Sequence, residues 1–236
     1  MSFTCATQSL ILLGSSFRVA KQNPRKRWIV TMRDRSNNPR PLQKGRNLSI
    51  EAIQTVQALK RANKNNRSLE EAFDSKFRRL LKFDVMAVLR ELLRQNECLL
   101  ALKVFEDIRK EHWYKPQVSL YADVINVLGC NGFLEELELV FSCFKKETNL
   151  QPDIEGFNAL LRNLINLSFP KLAMESYCLM KEVACDPDRS TFRLLINGLE
   201  AMGETGSSAV VRLDAQKYYG ESLDFLEEKE ELELTH

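Results

Sequence analysis

The feature that most constrains the fold of this 236-residue chain is a set of residue columns that returns every 35 or 36 positions. Three columns hold apolar or small residues, a fourth holds Pro, and a fifth is aromatic. They consist of Ala101, Leu137 and Ala173; Phe105, Phe141 and Tyr177; Ile108, Phe144 and Met180; Pro116, Pro152 and Pro187; and Tyr121, Phe157 and Phe192. A fixed period of this length is typical of proteins that stack one structural unit several times.

Each unit has the apolar spacing of two successive helices, of roughly 12–14 residues each. The Pro is expected to end the second helix, and Asp153 or Asp188, directly after a Pro, can cap the next helix. Because neither helix can bury its apolar stripe alone, successive pairs must pack on one another. We therefore predict an all-α fold, a right-handed α-solenoid of stacked antiparallel helix pairs. The low content of Gly (9) and Pro (7) disfavours a sandwich of short strands.

The segment boundaries follow from the same pattern. Ser49 and a capping box from Ser68 to Glu71 are expected to begin two helices of a degenerate pair, the second reaching about Leu81. In the last unit, residues 203–208 are predicted to be an insertion that delays the second helix to 209–226. The predicted segments are 48–82 for the degenerate pair; 83–117, 118–153, 154–188 and 189–226 for the four units of a repeat domain at 83–226; and 227–236 for an acidic tail.

The N-terminal third of the chain is strongly basic. Residues 1–82 hold 18 of the 34 basic residues and only 5 of the 32 acidic ones, although the net charge of the chain is +2. The first 32 residues contain no Asp or Glu and are rich in Ser, Thr, Arg and Lys, which is the composition of an organelle transit peptide. We predict a transit peptide at 1–35 and a basic linker at 36–47. The alternative is a basic tail on a cytosolic or nuclear protein.

No pattern in the chain indicates catalysis, a cofactor or a metal site. The two histidines, His112 and His236, belong to no catalytic motif, and the His-x-Glu and Cys-x-x-Cys motifs of a zinc deaminase are missing. None of the six cysteines forms a Cys-x-x-Cys pair, so we expect free thiols. The apolar stretch at residues 10–13 is far too short to span a bilayer. We therefore predict a protein that is not an enzyme, needs no cofactor or metal, and does not insert into a membrane.

One unit carries a recognisable motif. Phe157, Asn158, Leu160 and Leu161, followed by Pro187-Asp188 at the end of the unit, resemble the pentatricopeptide repeat, with its aromatic-Asn-x-Leu-Ile opening and its final Pro-Asp. The mixed unit lengths, the basic N-terminal arm and the ending at residues 217–226 resemble the small thylakoid-assembly-type proteins of the PLS class in plant organelles. The resemblance implies an RNA-binding solenoid that assists splicing of group II introns in chloroplasts. Mitochondrial location, and a role in messenger processing or stability, are the alternatives.

The resemblance also implies which side chains read RNA, because in this family two residues of each repeat read one base. Asn with Asp is the family's pairing for uracil, and an amide can both donate to and accept from a pyrimidine edge. The pairs here are Met86 with Gln117, Ala122 with Asp153, and Asn158 with Asp188, while Arg193 stands at the first reading position of the last repeat. The column that sandwiches bases in the family, usually apolar, is assigned to Asp84, Ser119, Glu155 and Ser190.

A single readable pair requires further sources of affinity, and the basic residues around the first helices are candidates for phosphate contacts. These candidates are Lys60, Arg61, Lys64, Arg67, Lys76, Arg78, Arg79 and Lys82. The expected partners are single-stranded or intron RNA, other organelle splicing factors, and a second copy of the chain in a homodimer. Because two repeats lack a readable pair, the alternative function is an α-solenoid adaptor that binds protein within an organelle ribonucleoprotein.

Overall fold

The computed structural model describes residues 48–64, 69–220 and 223–226, and in these residues the chain forms ten α-helices and two 3-10 turns. The helices are α1 Ile50–Lys64, α2 Leu69–Ser75, α3 Lys82–Arg94, α4 Cys98–Arg109, α5 Val118–Cys130, α6 Leu134–Lys145, α7 Ile154–Asn166, α8 Pro170–Glu182, α9 Arg189–Ala201 and α10 Thr205–Tyr219, and the 3-10 turns are Phe77–Arg79 and Asp224–Leu226. The predictions made for 1–35, 36–47, 227–236, Arg67 and Ser68 lie outside the described residues.

The helices alternate between two rows. The odd-numbered helices, here called A helices, pack on one another in the order α1, α3, α5, α7, α9. The even-numbered helices, here called B helices, pack beside the A helix of their own pair. Every column of the sequence repeat that holds core residues is buried, for example Phe105 at 1%, Phe141 at 2% and Tyr177 at 0% exposure. The predicted all-α solenoid of stacked helix pairs is confirmed.

The predicted N-terminal caps hold three A helices in place. Asp153 accepts a hydrogen bond from the Gly156 amide at 2.9 Å, and Asp188 accepts one from the Thr191 amide at 2.7 Å. Ser49 caps α1 in the same way. The boundary Pro does not itself end the B helix, because α4, α6 and α8 all stop several residues earlier, and the Pro lies in the connecting loop.

A left-handed residue makes the turn from each of the A helices α3, α5, α7 and α9 to its B helix. Asn96 (φ 54°), Gly132 (φ 79°), Ser168 (φ 63°) and Gly203 (φ 80°) occupy equivalent positions, spaced by 36, 36 and 35 residues. The predicted insertion at residues 203–208 is therefore wrong. Gly203 is the ordinary turn residue of its repeat, and α10 starts at Thr205, 35 residues after the start of α8.

The Gly- and Ser-rich stretch that suggested a loop is therefore the first turn of α10. Ser208 is 1% exposed, and its hydroxyl donates to Glu200 Oε1 of α9 at 2.7 Å. That contact across the pair compensates for the weak helix propensity of Gly and Ser. At the other end of the chain, α2 stops at Ser75, earlier than predicted, and Phe73 packs edge-on against Phe77 of the 3-10 turn, with ring centroids 5.2 Å apart.

No helix among the described residues is long and apolar enough to cross a membrane.

Candidate functional site

The stacking of the A helices brings equivalent positions side by side. Helices α3, α5, α7 and α9 begin at equivalent positions of their repeats, so their fifth and ninth residues form two rows across the solenoid. Residues four apart share one side of a helix, so the two rows belong to one surface. We call it the A-helix face, and it comprises Met86, Ala122, Asn158 and Arg193 in the fifth-residue row and Arg90, Asn126, Arg162 and Asn197 in the ninth-residue row.

The predicted pair Asn158 and Asp188 is brought together by the packing of α7 against α9. Asn158 Nδ2 donates to Asp188 Oδ1 at 3.2 Å. A third residue completes the cluster, because Thr191 Oγ1 donates to Asn158 Oδ1 at 2.6 Å. Thr191 is fully buried, while Asn158 and Asp188 are half-buried. The cluster therefore joins two adjacent repeats at the level of the fifth-residue row.

The cluster keeps hydrogen-bonding capacity for a ligand. An amide has two N–H donors and an oxygen with two lone pairs, and a carboxylate has two acceptor oxygens. Within the described residues, one N–H of Asn158 and the Oδ2 atom of Asp188 have no partner. A base edge that presents both an acceptor and a donor can bind these groups.

Asp188 is held in its charged form. Its burial on its own would raise the pKa, but hydrogen bonds from the backbone amide of Thr191 and the side-chain amide of Asn158 outweigh that effect. The net result is a pKa below the usual value for Asp. The group is therefore an acceptor only, which obliges Asn158 to turn its nitrogen rather than its oxygen toward it.

The other predicted pairs have less to offer a ligand. Ala122 is 1% exposed, so its methyl group lies in the core rather than on the surface. Asp153 uses Oδ1 to cap α7, and Met86 is half-buried against the core. Gln117 is exposed at the start of α5 and makes no side-chain cap. The assignment of these residues to base reading stays a prediction, as does that of Arg193, which is half-buried on α9.

The positions at which the helices start change one residue of the base-sandwiching column. Ser119, Glu155 and Ser190 are each the second residue of their A helix, and the second residue of α3 is Phe83, not Asp84. Phe83 is 86% exposed, the highest value among the large apolar side chains that are described as exposed. Only the assignment of Asp84 to this column was one residue out, and the corrected column contains an exposed aromatic ring three residues before Met86.

Sequence reasoning missed the ninth-residue row. Arg90 and Arg162 are exposed, and each lies beside a surface depression between neighbouring A helices, of about 230 Å³ and about 390 Å³ respectively. Arg193 and Asn197 also line the larger depression, and Asn126 lines the smaller one. The signal was available, because the four polar residues recur at the repeat spacing, but a search restricted to apolar columns does not find them.

Several of the basic residues predicted to contact phosphates have partners within the protein. Lys60 Nζ lies 2.7 Å from Glu97 Oε1 and also donates to Gln95 Oε1. Arg78 forms ion pairs with Asp74 and with Asp107, and its guanidinium nitrogen lies 3.1 Å from Asp107 Oδ2. Lys82 lies over the Trp113 ring, 5.2 Å from its centroid. Arg61 donates to Gln57 Oε1 at 3.2 Å and is exposed. The remaining described candidates, which are also exposed to solvent, are Lys64, Lys76 and Arg79.

Among the residues that the structure describes, no group of three or more His, Cys, Asp or Glu side chains is placed to hold a metal ion.

Comparison with known proteins gives consistent matches. A family model for the pentatricopeptide repeat domain matches residues 145–200. Protein THYLAKOID ASSEMBLY 8, chloroplastic, from Arabidopsis thaliana is 34% identical over 195 residues, which are 80% of this chain and 86% of the relative. A further pentatricopeptide repeat-containing protein of Arabidopsis thaliana is 34% identical over 152 residues, 64% of this chain and 77% of the relative. Among solved structures, the crystal structure of THA8 in complex with Zm4 RNA superposes with a TM-score of 0.63 at 25% identity, covering 72% of this chain and 96% of that one.

Proposed function

The chain belongs to the pentatricopeptide repeat family, as its repeat motif suggested, and we propose that it binds single-stranded RNA along the A-helix face and assists RNA processing in an organelle. The observation that carries the proposal is the cluster of Asn158 and Asp188. It presents an N–H donor and carboxylate and amide acceptors at a junction between repeats. Those groups match the alternating acceptors and donor of a uracil edge. The crystal structure of the similar protein THA8 with RNA supports the same conclusion.

Base reading alone does not supply enough affinity. Two or three bases at about 2 kcal/mol each give about 4–6 kcal/mol, which corresponds to about millimolar binding or little better. Contacts to the RNA backbone must add to this. We assign them to the ninth-residue row, through Arg90 and Arg162, and to the exposed basic residues Lys64, Lys76 and Arg79.

The aromatic ring of Phe83 adds a stacking contact to the proposed surface. Bases stack on aromatic side chains whatever their sequence, because every base has a π-face. Phe83 lies at the start of α3, where it can receive a base at the N-terminal end of the row. It thereby compensates for the lack of a readable pair in the first repeat.

The process that we propose is splicing of group II introns in the chloroplast. Support comes from the relatives, since Protein THYLAKOID ASSEMBLY 8 and several larger pentatricopeptide repeat-containing proteins among them are named chloroplastic. With so few readable repeats, selection of one intron requires help from other splicing factors or from a second copy of the chain. Messenger processing or stabilisation would use the same surface.

A second candidate, an adaptor that binds protein, is favoured by one feature. Val210 and Leu213 lie on one side of α10 and are 53% and 59% exposed. An adaptor of this kind would bind its partner with little dependence on salt, whereas RNA binding weakens steeply as salt rises.

The test is a titration of the full chain against a short oligouridine RNA at two salt concentrations, with Asn158→Ala alongside. We expect binding that weakens with salt and is several-fold weaker in the variant. If Asn158→Ala binds RNA as tightly as the wild type, the contacts to RNA are made by the basic residues alone. If no binding occurs at low salt, the RNA proposal is wrong and the adaptor is preferred.

A further inference from the structure

The buried Thr191 has a role beyond capping α9. We infer that Thr191 is a positioning residue that, together with Asp188, fixes which way the amide of Asn158 faces, and that it thereby strengthens the preference of this repeat for uracil over cytosine. The inference rests on the proposed RNA-binding function and adds to it a specificity determinant. It depends on the contacts between Thr191, Asn158 and Asp188, which come from two adjacent repeats.

The three side chains restrain the amide from both ends. Asp188 Oδ1 lies 3.2 Å from Asn158 Nδ2, and Thr191 Oγ1 lies 2.6 Å from Asn158 Oδ1. If the amide rotated by half a turn, its oxygen would face the carboxylate of Asp188 with no proton between the two oxygens. The nitrogen would then face the Thr191 hydroxyl in place of the short hydrogen bond that now stabilises the oxygen.

The Thr191 hydroxyl is itself held in place by the backbone. The amide of Asp188 donates to Thr191 Oγ1 at 3.2 Å, while the amide of Thr191 donates to Asp188 Oδ1 at 2.7 Å. The hydroxyl proton has two acceptors in reach, Asn158 Oδ1 at 2.6 Å and Asp188 Oδ1 at 2.8 Å. Because the side chain is fully buried, no water competes for that proton.

The orientation of the amide matters because uracil and cytosine present opposite patterns. Along the same edge, uracil offers the acceptor O4 and the donor N3–H, whereas cytosine offers the donor N4–H and the acceptor N3. A half-turn of an Asn amide exchanges its donor and acceptor, so an unrestrained amide can match either base. For a base held at one position on the A-helix face, an amide with a fixed orientation matches only one of them.

Within the repeats that the structure describes, this restraint occurs in one. The residues that correspond to Thr191 are Gly156 in α7 and Leu120 in α5, neither of which has a hydroxyl. The residue that corresponds to Asn158 in the preceding repeat is Ala122, which has no amide. The preference for uracil is therefore expected to come from this one cluster.

The experiment compares the affinity of the full chain for a short oligouridine and for an oligocytidine of the same length, at one salt concentration. Homopolymers place the same base at the cluster in every register of binding. The variants are Thr191→Val, which keeps the shape and removes the hydroxyl, and Thr191→Ser, which keeps the hydroxyl. We expect Thr191→Val to reduce the ratio of the two affinities by about three- to tenfold, and Thr191→Ser to retain it.

A control separates this effect from the loss of a helix cap. Ser49→Ala removes a capping hydroxyl from α1, at the far end of the solenoid, and should lower stability without changing the ratio. Should Thr191→Val fail to fold, Thr191→Ala in a stabilised background takes its place, with Thr191→Ser as the matched rescue.

A Thr191→Val chain that folds and keeps the wild-type ratio overturns the inference alone, as does a wild-type chain that binds both RNAs equally. A wild-type chain that binds neither RNA overturns the proposed function, and the inference with it.

Discussion

Phe83 provides a direct test of the proposed binding surface, because its ring is almost fully exposed and contributes little to the packing of the protein. The side chain is 86% exposed, so Phe83→Ala removes almost no buried area and should change the free energy of unfolding by less than about 0.5 kcal/mol. A stacked base contributes about 1–3 kcal/mol by alanine substitution. We expect Phe83→Ala to lose about 1–2 kcal/mol of RNA binding, which is roughly a five- to thirtyfold rise in Kd.

The assay is fluorescence anisotropy with a labelled single-stranded RNA at two salt concentrations, together with thermal unfolding followed by circular dichroism. The loss should be nearly the same at both salt concentrations, since stacking releases no counterions. Phe83→Tyr keeps a ring and should bind like the wild type. Leu139→Ala is the matched control, because Leu139 is 67% exposed but lies on the B helix α6. Unchanged binding by Phe83→Ala, or equal losses in Phe83→Ala and Leu139→Ala, would refute the assignment of Phe83 to the RNA surface.

Three further predictions concern charge, acidity and packing. Replacing Arg90 and Arg162 by Ala should reduce the salt dependence of RNA binding, by about 0.7 in the log–log slope for each phosphate that is no longer neutralised, while Lys171→Ala on α8 should leave it unchanged in the same titrations. Lys181 and Lys217 donate hydrogen bonds that lower the pKa of Asp214 to about 2, so its contribution to stability is present at neutral pH and is lost as the pH falls from about 4 toward 2. Asp214→Asn should accordingly be about 1 kcal/mol less stable in denaturant at pH 7, with a difference that shrinks below about pH 4; a difference that persists there contradicts the assignment. Gly198→Ala would place a Cβ in steric conflict with Ile165 Cγ2 and should cost about 1–3 kcal/mol in urea unfolding, whereas Gly206→Ala in α10, with no atom within 4 Å of the new Cβ, should cost nothing.

Some features of this fold depend on local sequence, and others depend on contacts between helices. The helix pairs and the caps at Ser49, Asp153 and Asp188 were predictable, because the spacing of apolar residues and a single capping side chain act within a few residues. The start of α10 was not, since the stretch after Gly203 resembles a loop by composition and becomes helix through the contact of Ser208 with Glu200. That contact depends on how α9 and α10 pack.

The candidate site divides in the same way. Asn158 and Asp188 could be paired from the repeat columns alone, because a motif at a fixed period places the same positions at each junction. Thr191 could not be added, because its hydroxyl reaches Asn158 only when α9 is packed against α7. The assignment of Asp84 to the base-sandwiching column was wrong, because α3 starts at Lys82 and its second residue is therefore Phe83.

The sequence by itself therefore determined that this chain stacks helix pairs and where two side chains of one repeat meet the next. The tertiary structure decided which side chains remain available to a ligand. It buried Ala122 in the core, gave Lys60 and Arg78 partners within the protein, and left Phe83 exposed at the start of α3. The physical reason is that periodicity specifies which side of a helix is apolar. Exposure and hydrogen-bond partners are set by the distance and angle between helices, which no single helix encodes.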